Sequence, residues 1–121
     1  EGEFLLPHGG TIDANGSVHV SDRENNRIQE FDQEGRYLSE WATGLIGPAL
    51  VWQDKEGVGF VPEHNGGNFS VLTPKGSPLA RWGNEIYRSC HGAAGDSNGG
   101  IYFVQPVQGV QGRQIVKYTP I

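Results

Sequence analysis

Short apolar–polar runs separated by glycine turns organise this chain. Val18 and Val20 alternate with polar neighbours over residues 17–21, the period-two pattern of a strand. Residues 27–32 carry Ile28 and Phe31, and residues 36–41 end on Trp41. Residues 10–13 form a fourth, shorter run. Asn15-Gly16 sits between the first two runs, and Asn-Gly readily takes the positive φ of a tight hairpin turn. Gln33-Glu34-Gly35 turns the chain again. The prediction is four short antiparallel strands in one unit.

The unit repeats. Residues 7–41 lie over 48–82 without a gap: Pro7 on Pro48, Asp13 on Asp54, Gly16 on Gly57, Val20 on Val61, Asp22 on Glu63, Ile28 on Phe69, Gly35 on Gly76 and Trp41 on Trp82. A third copy places His8-Gly9 on His91-Gly92, Asp13 on Asp96 and Gly16 on Gly99. After an insertion around residues 105–112 it places Ile28 on Ile115 and Phe31 on Tyr118. A period near forty with four strands per unit is what a β-propeller blade requires. The fold class is therefore all-β, three four-stranded blades: 7–46, 47–88 and an incomplete third at 89–121, with 1–6 as a linker or strand-exchange segment.

Composition agrees: the 121 residues include 19 glycines and 7 prolines, which suit many turns. No apolar run approaches bilayer length, so no membrane insertion is expected. No basic segment followed by an apolar stretch opens the chain, so no signal peptide is expected. The opening residue is not Met, and the chain reads as a processed form, a fragment or one section of a longer protein. The net charge of -5, with nine scattered basic residues, argues against nucleic-acid binding. A soluble protein is expected, with a secreted or extracellular setting favoured over a cytoplasmic one. The lone Cys90 excludes an internal disulfide.

The first copy resembles the NHL repeat. The matching features are a Pro-x-Gly opening, Ile-Asp before a glycine turn, Val-x-Val-x-Asp, and Asn-x-Arg-Ile-x-x-Phe-Asp. The resemblance implies a ring that usually closes with six blades, so three blades look like half a ring. The third copy stops after its third strand, and residues 1–5 read like the outer-strand segment 34–38. Glu3, Phe4 and Leu5 are thus expected to meet Tyr118 of a partner copy and complete its third blade. A homo-oligomer of twofold symmetry would follow; an inter-blade linker within a longer propeller chain is the other reading.

His8 and His91 share one repeat position beside the central channel, and imidazole is the commonest transition-metal ligand. More distantly, these His-Gly pairs resemble the channel histidines that hold zinc in the peptidylglycine-type amidating lyases. Those lyases cleave a peptidyl α-hydroxyglycine to an amide and glyoxylate. That resemblance implies zinc, with calcium as a second candidate, and Tyr87, Arg88 and Arg23 as the catalytic candidates. The chain departs from that pattern: the second copy has Ala49 where the histidine falls. His19 and His64 read as surface residues. Asp22 and Glu63 are expected to tie loops together, and Arg27 to pair with an acid. Two functions are open. One is a propeller scaffold or binding module taking a peptide, glycan or protein at its channel mouth and loops. The other is a zinc-dependent lyase.

Overall fold

The computed structural model describes residues 2–83, 90–104 and 115–119. Three antiparallel sheets follow one another along the chain, each a consecutive meander. Blade 1 is β1 (Pro7–Ile12), β2 (Val18–Asp22), β3 (Arg27–Phe31) and β4 (Tyr37–Trp41). Blade 2 is β5 (Trp52–Gln53), β6 (Gly59–Glu63), β7 (Asn68–Leu72) and β8 (Pro78–Trp82). Blade 3 is β9 (Gly92–Gly95), β10 (Ile101–Val104) and β11 (Ile115–Tyr118). The predicted strands are thus formed in the predicted order.

The turns explain the period. Asp13, Asp54 and Asp96 each accept the backbone N–H groups two and four residues on. Such an Asx turn closes each inner hairpin, and Gly16, Gly57 and Gly99 take φ of 86°, 82° and 83° there. The turn aspartate thus accepts backbone N–H bonds in every copy.

The cores lie between blades. Ile28 and Trp41 of blade 1 pack on Leu45, Val51, Val61 and Leu72. Phe69 of blade 2 packs on Cys90, Ile101 and Phe103, with Trp52, Trp82 and Tyr118 beside them. Trp41 lies so close to Gly59 and Gly76 that a β-carbon on either would sit within 2.9 Å of the indole. Trp52 turns toward blade 3, where its ring fills the space beside Gly95. Each sheet therefore has both faces covered or available for cover, as stacked blades demand.

Acidic corners fasten the linkers. Asp22, fully buried, accepts from the Leu5 N–H at 2.7 Å, Asn25 Nδ2 at 2.9 Å and Arg27 Nε at 2.9 Å. Glu63, also fully buried, accepts from the Ile46 N–H at 2.7 Å, Ser70 Oγ and Arg81. These acids hold the segment entering each blade, as expected. Arg27 pairs with Asp22 and with Glu40 at 3.0 Å. The Asp22 partner is buried rather than exposed, which makes that pair costly to break.

Residues 2–6 form no strand within this chain. Leu5 bonds to Asp22 as Ile46 bonds to Glu63, so the segment lies in the register of the linker 42–47. Gly2 N–H donates to Gln29 Oε1, Arg27 donates to the Glu3 carbonyl, and Phe4 packs on Phe31. Glu3, Phe4 and Leu5 thus dock on blade 1. Tyr118 meets blade 2, accepting a hydrogen bond from Trp82 Nε1 at 3.0 Å.

Candidate functional site: one histidine from each blade

The ends of β1, β6 and β9 bring three histidines together. His8 begins β1 beyond Pro7, His64 directly follows β6, and His91 directly precedes β9. Their ring centroids stand 4.5 Å apart for His64 and His91, 5.4 Å for His8 and His91, and 6.3 Å for His8 and His64. His64 was expected at the surface; it is instead half-buried against the other two. It occupies the repeat position of Arg23, one residue past the acid that fixes the blade corner.

Local structure explains the convergence. Gly9 has no side chain because a β-carbon there would lie 2.8 Å from the Ala49 carbonyl oxygen and from Leu50. The inner strand of blade 1 thereby approaches blade 2 closely, and His8 Nδ1 lies 3.0 Å from the Ala49 oxygen. An Nδ1–H donating to that carbonyl leaves the Nε2 lone pair of His8 free for a ligand. Ala49, the copy without the histidine, therefore orients the histidine of its neighbour. The His64 backbone N–H donates to the Gly47 carbonyl at 2.7 Å, and the His91 N–H to Val104 at 2.9 Å.

Burial, followed by the positive fields of His91, Arg23 and His8, pushes the His64 imidazole below its usual pKa. It is thus neutral near pH 7, the form that binds metal. Its Nδ1 is buried and has no hydrogen-bond partner among the described residues, which leaves that nitrogen available as a donor to a metal. Three imidazoles around a four-coordinate ion stand with ring centres about 5 Å apart. The observed spacings bracket that value. The rotamers seen do not place a donor nitrogen from each of the three rings within 4.8 Å of the others. In residue type and ring spacing the three imidazoles suit a transition metal.

Of the catalytic candidates, Arg23 lies by this cluster, near enough to act on His64 electrostatically. Its Nε donates to Glu24 at 2.8 Å, and Glu24 accepts from Asn65 of blade 2. Tyr87 and Arg88 lie outside the described residues, as does the insertion at 105–112. Cys90 is fully buried, and burial raises its thiol pKa to about 11, so it is no nucleophile. His19 was also expected at the surface and is 1% exposed.

A consecutive four-stranded meander stacked face to face on the next one defines a β-propeller segment. The blades are of the NHL type. The chain is 48% identical over 52 residues to NHL repeat-containing protein 3 of Mus musculus, covering 40% of this chain and 15% of that protein. It is 45% identical over 40 residues to Protein lin-41 of Caenorhabditis elegans, covering 33% of this chain and 4% of that protein. The chain thus spans a small part of the curated relatives it matches. No family model matches it. Among solved structures, a streptogramin B lyase superposes with a TM-score of 0.71 at 22% identity, over 94% of this chain and 40% of that one. Virginiamycin B lyase from Staphylococcus aureus gives 0.72 at 16% identity over 93% and 41%. A luciferin-regenerating enzyme gives 0.62 at 11% over 98% and 46%. These likenesses establish the fold. No helix among the described residues is long and apolar enough to cross a membrane.

Proposed function

We propose that the chain is a propeller binding module whose channel mouth engages its ligand through a transition metal held by His8, His64 and His91. The observation that carries this reading is the meeting of one histidine from each of three blades. Three imidazoles favour zinc; calcium prefers oxygen ligands, and this site offers nitrogen. An open fourth position on the metal would take a carboxylate, carbonyl or hydroxyl of a peptide, glycan or protein.

The ring continues beyond these blades. Ile12 is 70% exposed on the face of blade 1 turned from blade 2, and Ile115 is 64% exposed on the far face of blade 3. Further blades, from a second copy or the same longer chain, would cover both. The linker register of residues 2–6 supports docking on blade 1 over strand exchange.

A second reading, a metal-dependent lyase of the amidating type, is favoured by one observation, the cation Arg23 beside His64. Zinc would supply Lewis acidity there, and Arg23 would steady an anionic group of the substrate.

The test is zinc content after dialysis, with His8→Ala, His64→Ala and His91→Ala measured against the parent. The expected result is one equivalent lost in each variant, while circular dichroism is unchanged. Retention of that zinc in all three variants overturns the metal reading. Glyoxylate release from a peptidyl α-hydroxyglycine separates lyase from module.

A further inference from the structure

The opposite end of the blade 1 inner strand carries a second constellation. Across blade 1, Thr11, His19, Glu30 and Ser39 are successive cross-strand partners. The same row in blade 2 is Trp52, Phe60, Val71 and Ala80, wholly apolar, and the first three pack toward blade 3. Blade 1 therefore places polar side chains where blade 2 has apolar ones. His19 lies 5.0 Å from Trp41, inside the contact between blades 1 and 2.

Asp13, His19 and Glu30 converge there, with one donor atom from each within 4.8 Å of the others. Asp13 Oδ1 is occupied by the Asn15 and Ser17 N–H groups, and its Oδ2 lies 3.1 Å from His19 Nε2. Glu30 Oε2 accepts from Ser39 Oγ at 2.7 Å. His19 is 1% exposed, and its Nδ1 has no hydrogen-bond partner among the described residues. Thr11 Oγ1, in the strand beside His19, is likewise buried and unpartnered. So is Gln53 Oε1, opposite the Gly59 on which Trp41 packs. Among the described residues, neither carboxylate is ion-paired with a lysine or arginine. Two carboxylates so close, facing a buried ring, are expensive without a compensating cation.

Blade 3 shows what compensates that position. There the row reads Tyr102 and Lys117 in place of His19 and Glu30. The Lys117 ammonium lies 3.4 Å from Asp96 Oδ2 and 4.8 Å over the Tyr102 ring, and the Tyr102 hydroxyl donates to the same carboxylate. The turn aspartate of blade 3 thus has a built-in cation. In blade 1 the residue that would supply it is Glu30, which inverts the charge and adds a ligand.

We propose that Asp13, His19 and Glu30 bind a divalent transition metal at the blade 1–blade 2 contact, on the face of the propeller opposite the channel histidines. One imidazole and two carboxylates form a three-ligand set suited to zinc, with solvent in the fourth position. All three ligands come from blade 1, so the ion ties the β1–β2 turn to β2 and β3. Its place is structural rather than catalytic. His8 and Asp13 stand at opposite ends of one inner strand, about 17 Å apart at the usual rise per residue. The two sites are therefore independent, and this one does not rest on the channel reading.

The test uses zinc as the probe, in the otherwise intact chain carrying His8→Ala and His91→Ala so that the channel histidines do not compete. Calorimetry of the metal-stripped protein is expected to show one equivalent bound and a rise in Tm with zinc. Glu30→Val and His19→Phe, which install the residues of blade 2, are expected to weaken binding by more than about 100-fold. Should either fail to fold, the double variant His19→Tyr with Glu30→Lys decides, because it installs the arrangement of blade 3. It is expected to fold, to bind no zinc, and to have a Tm indifferent to zinc and to chelator. Absence of zinc binding in the His8→Ala, His91→Ala background, or undiminished binding in Glu30→Val or the double variant, overturns the proposal.

Discussion

Replacing Asp22 by alanine tests whether the acidic corner holds the blade. Its carboxylate is fully buried and takes hydrogen bonds from the Leu5 N–H, Asn25 and Arg27 at 2.7–2.9 Å. Breaking such a buried pair costs about 3–5 kcal/mol, because the remaining charge and donors are stranded. Arg27 keeps Glu40 at 3.0 Å and the Glu3 carbonyl, which places the loss at the lower end, about 3 kcal/mol. For a domain of this size that is a fall in Tm of about 10–15 °C. The control is Arg36→Ala. Arg36 is 75% exposed and pairs with Asp32 at 2.5 Å, a contact worth about 0–1 kcal/mol. Burial raises the Asp22 pKa, but hydrogen bonds from Asn25, Leu5 and Arg27 outweigh it, and the net direction is down. A carboxyl so lowered contributes stability above its unfolded pKa and loses it as pH falls through the lower folded value. Urea melts of parent and Asp22→Asn should therefore differ by a constant amount near neutrality, and the gap should close below about pH 4. An Asp22→Ala loss no greater than that of Arg36→Ala, or a gap independent of acid, would refute the reasoning.

Two further outcomes follow from packing. Gly35 and Gly76 are repeat partners with the same φ of 81°, but only at Gly76 would a β-carbon meet Trp41, at 2.2 Å. Gly35→Ala should cost about 1–2 kcal/mol of backbone strain, and Gly76→Ala a further ~1–3 kcal/mol of overpacking; equal urea midpoints would deny the inter-blade contact. Cys90, buried with a pKa near 11, should react with a disulfide reagent at pH 8 only as fast as the protein opens, and the rate of an unfolded thiol would contradict its burial.

Much of the fold was legible because a propeller writes its period into its turns. Asp13, Asp54 and Asp96 recur because each closes a hairpin with the same two backbone bonds, and glycine follows because the turn needs positive φ. What resisted reading has a common cause. In a soluble antiparallel sheet with one wet face, alternation marks polar residues as outward. A blade has neighbours on both sides, so the rule gives no direction. His19 alternates with Val18 and Val20 and is nonetheless buried, and the apolar Val20 is half-buried on the other face. His64 was hidden differently. The repeat aligned it with Arg23, so no shared histidine flagged it. The available signal was the acid before it: Glu63 falls on Asp22, both pin a corner, and a pinned corner aims the next side chain at the channel. Residues 1–6 supported two alignments, one on the outer strand at 34–38 and one on the linker at 42–47. The hydrogen bond from Leu5 to Asp22, matched by Ile46 to Glu63, selects the second within this chain.

Because blades share a scaffold, each position that departs from its copies isolates one chemical change on a fixed backbone. Ala49 lacks the histidine of His8 and His91, yet its carbonyl holds His8 in place. The copy without the histidine therefore still serves its neighbour, through a backbone carbonyl that the missing side chain of Gly9 allows to come close. The row beyond it follows the same logic with charge in place of shape. Val71 asks for nothing, Lys117 answers the turn aspartate beside it, and Glu30 opposes it. Selection for packing alone would have kept the apolar row, since blade 2 shows that it stacks. A second carboxylate beside Asp13 and a buried imidazole is costly unless something positive stands between them, and a metal ion is what the proposed site supplies. A bound metal makes the unfolding transition of the intact chain sensitive to chelator, whereas a chain held by protein contacts alone unfolds at the same point with and without it.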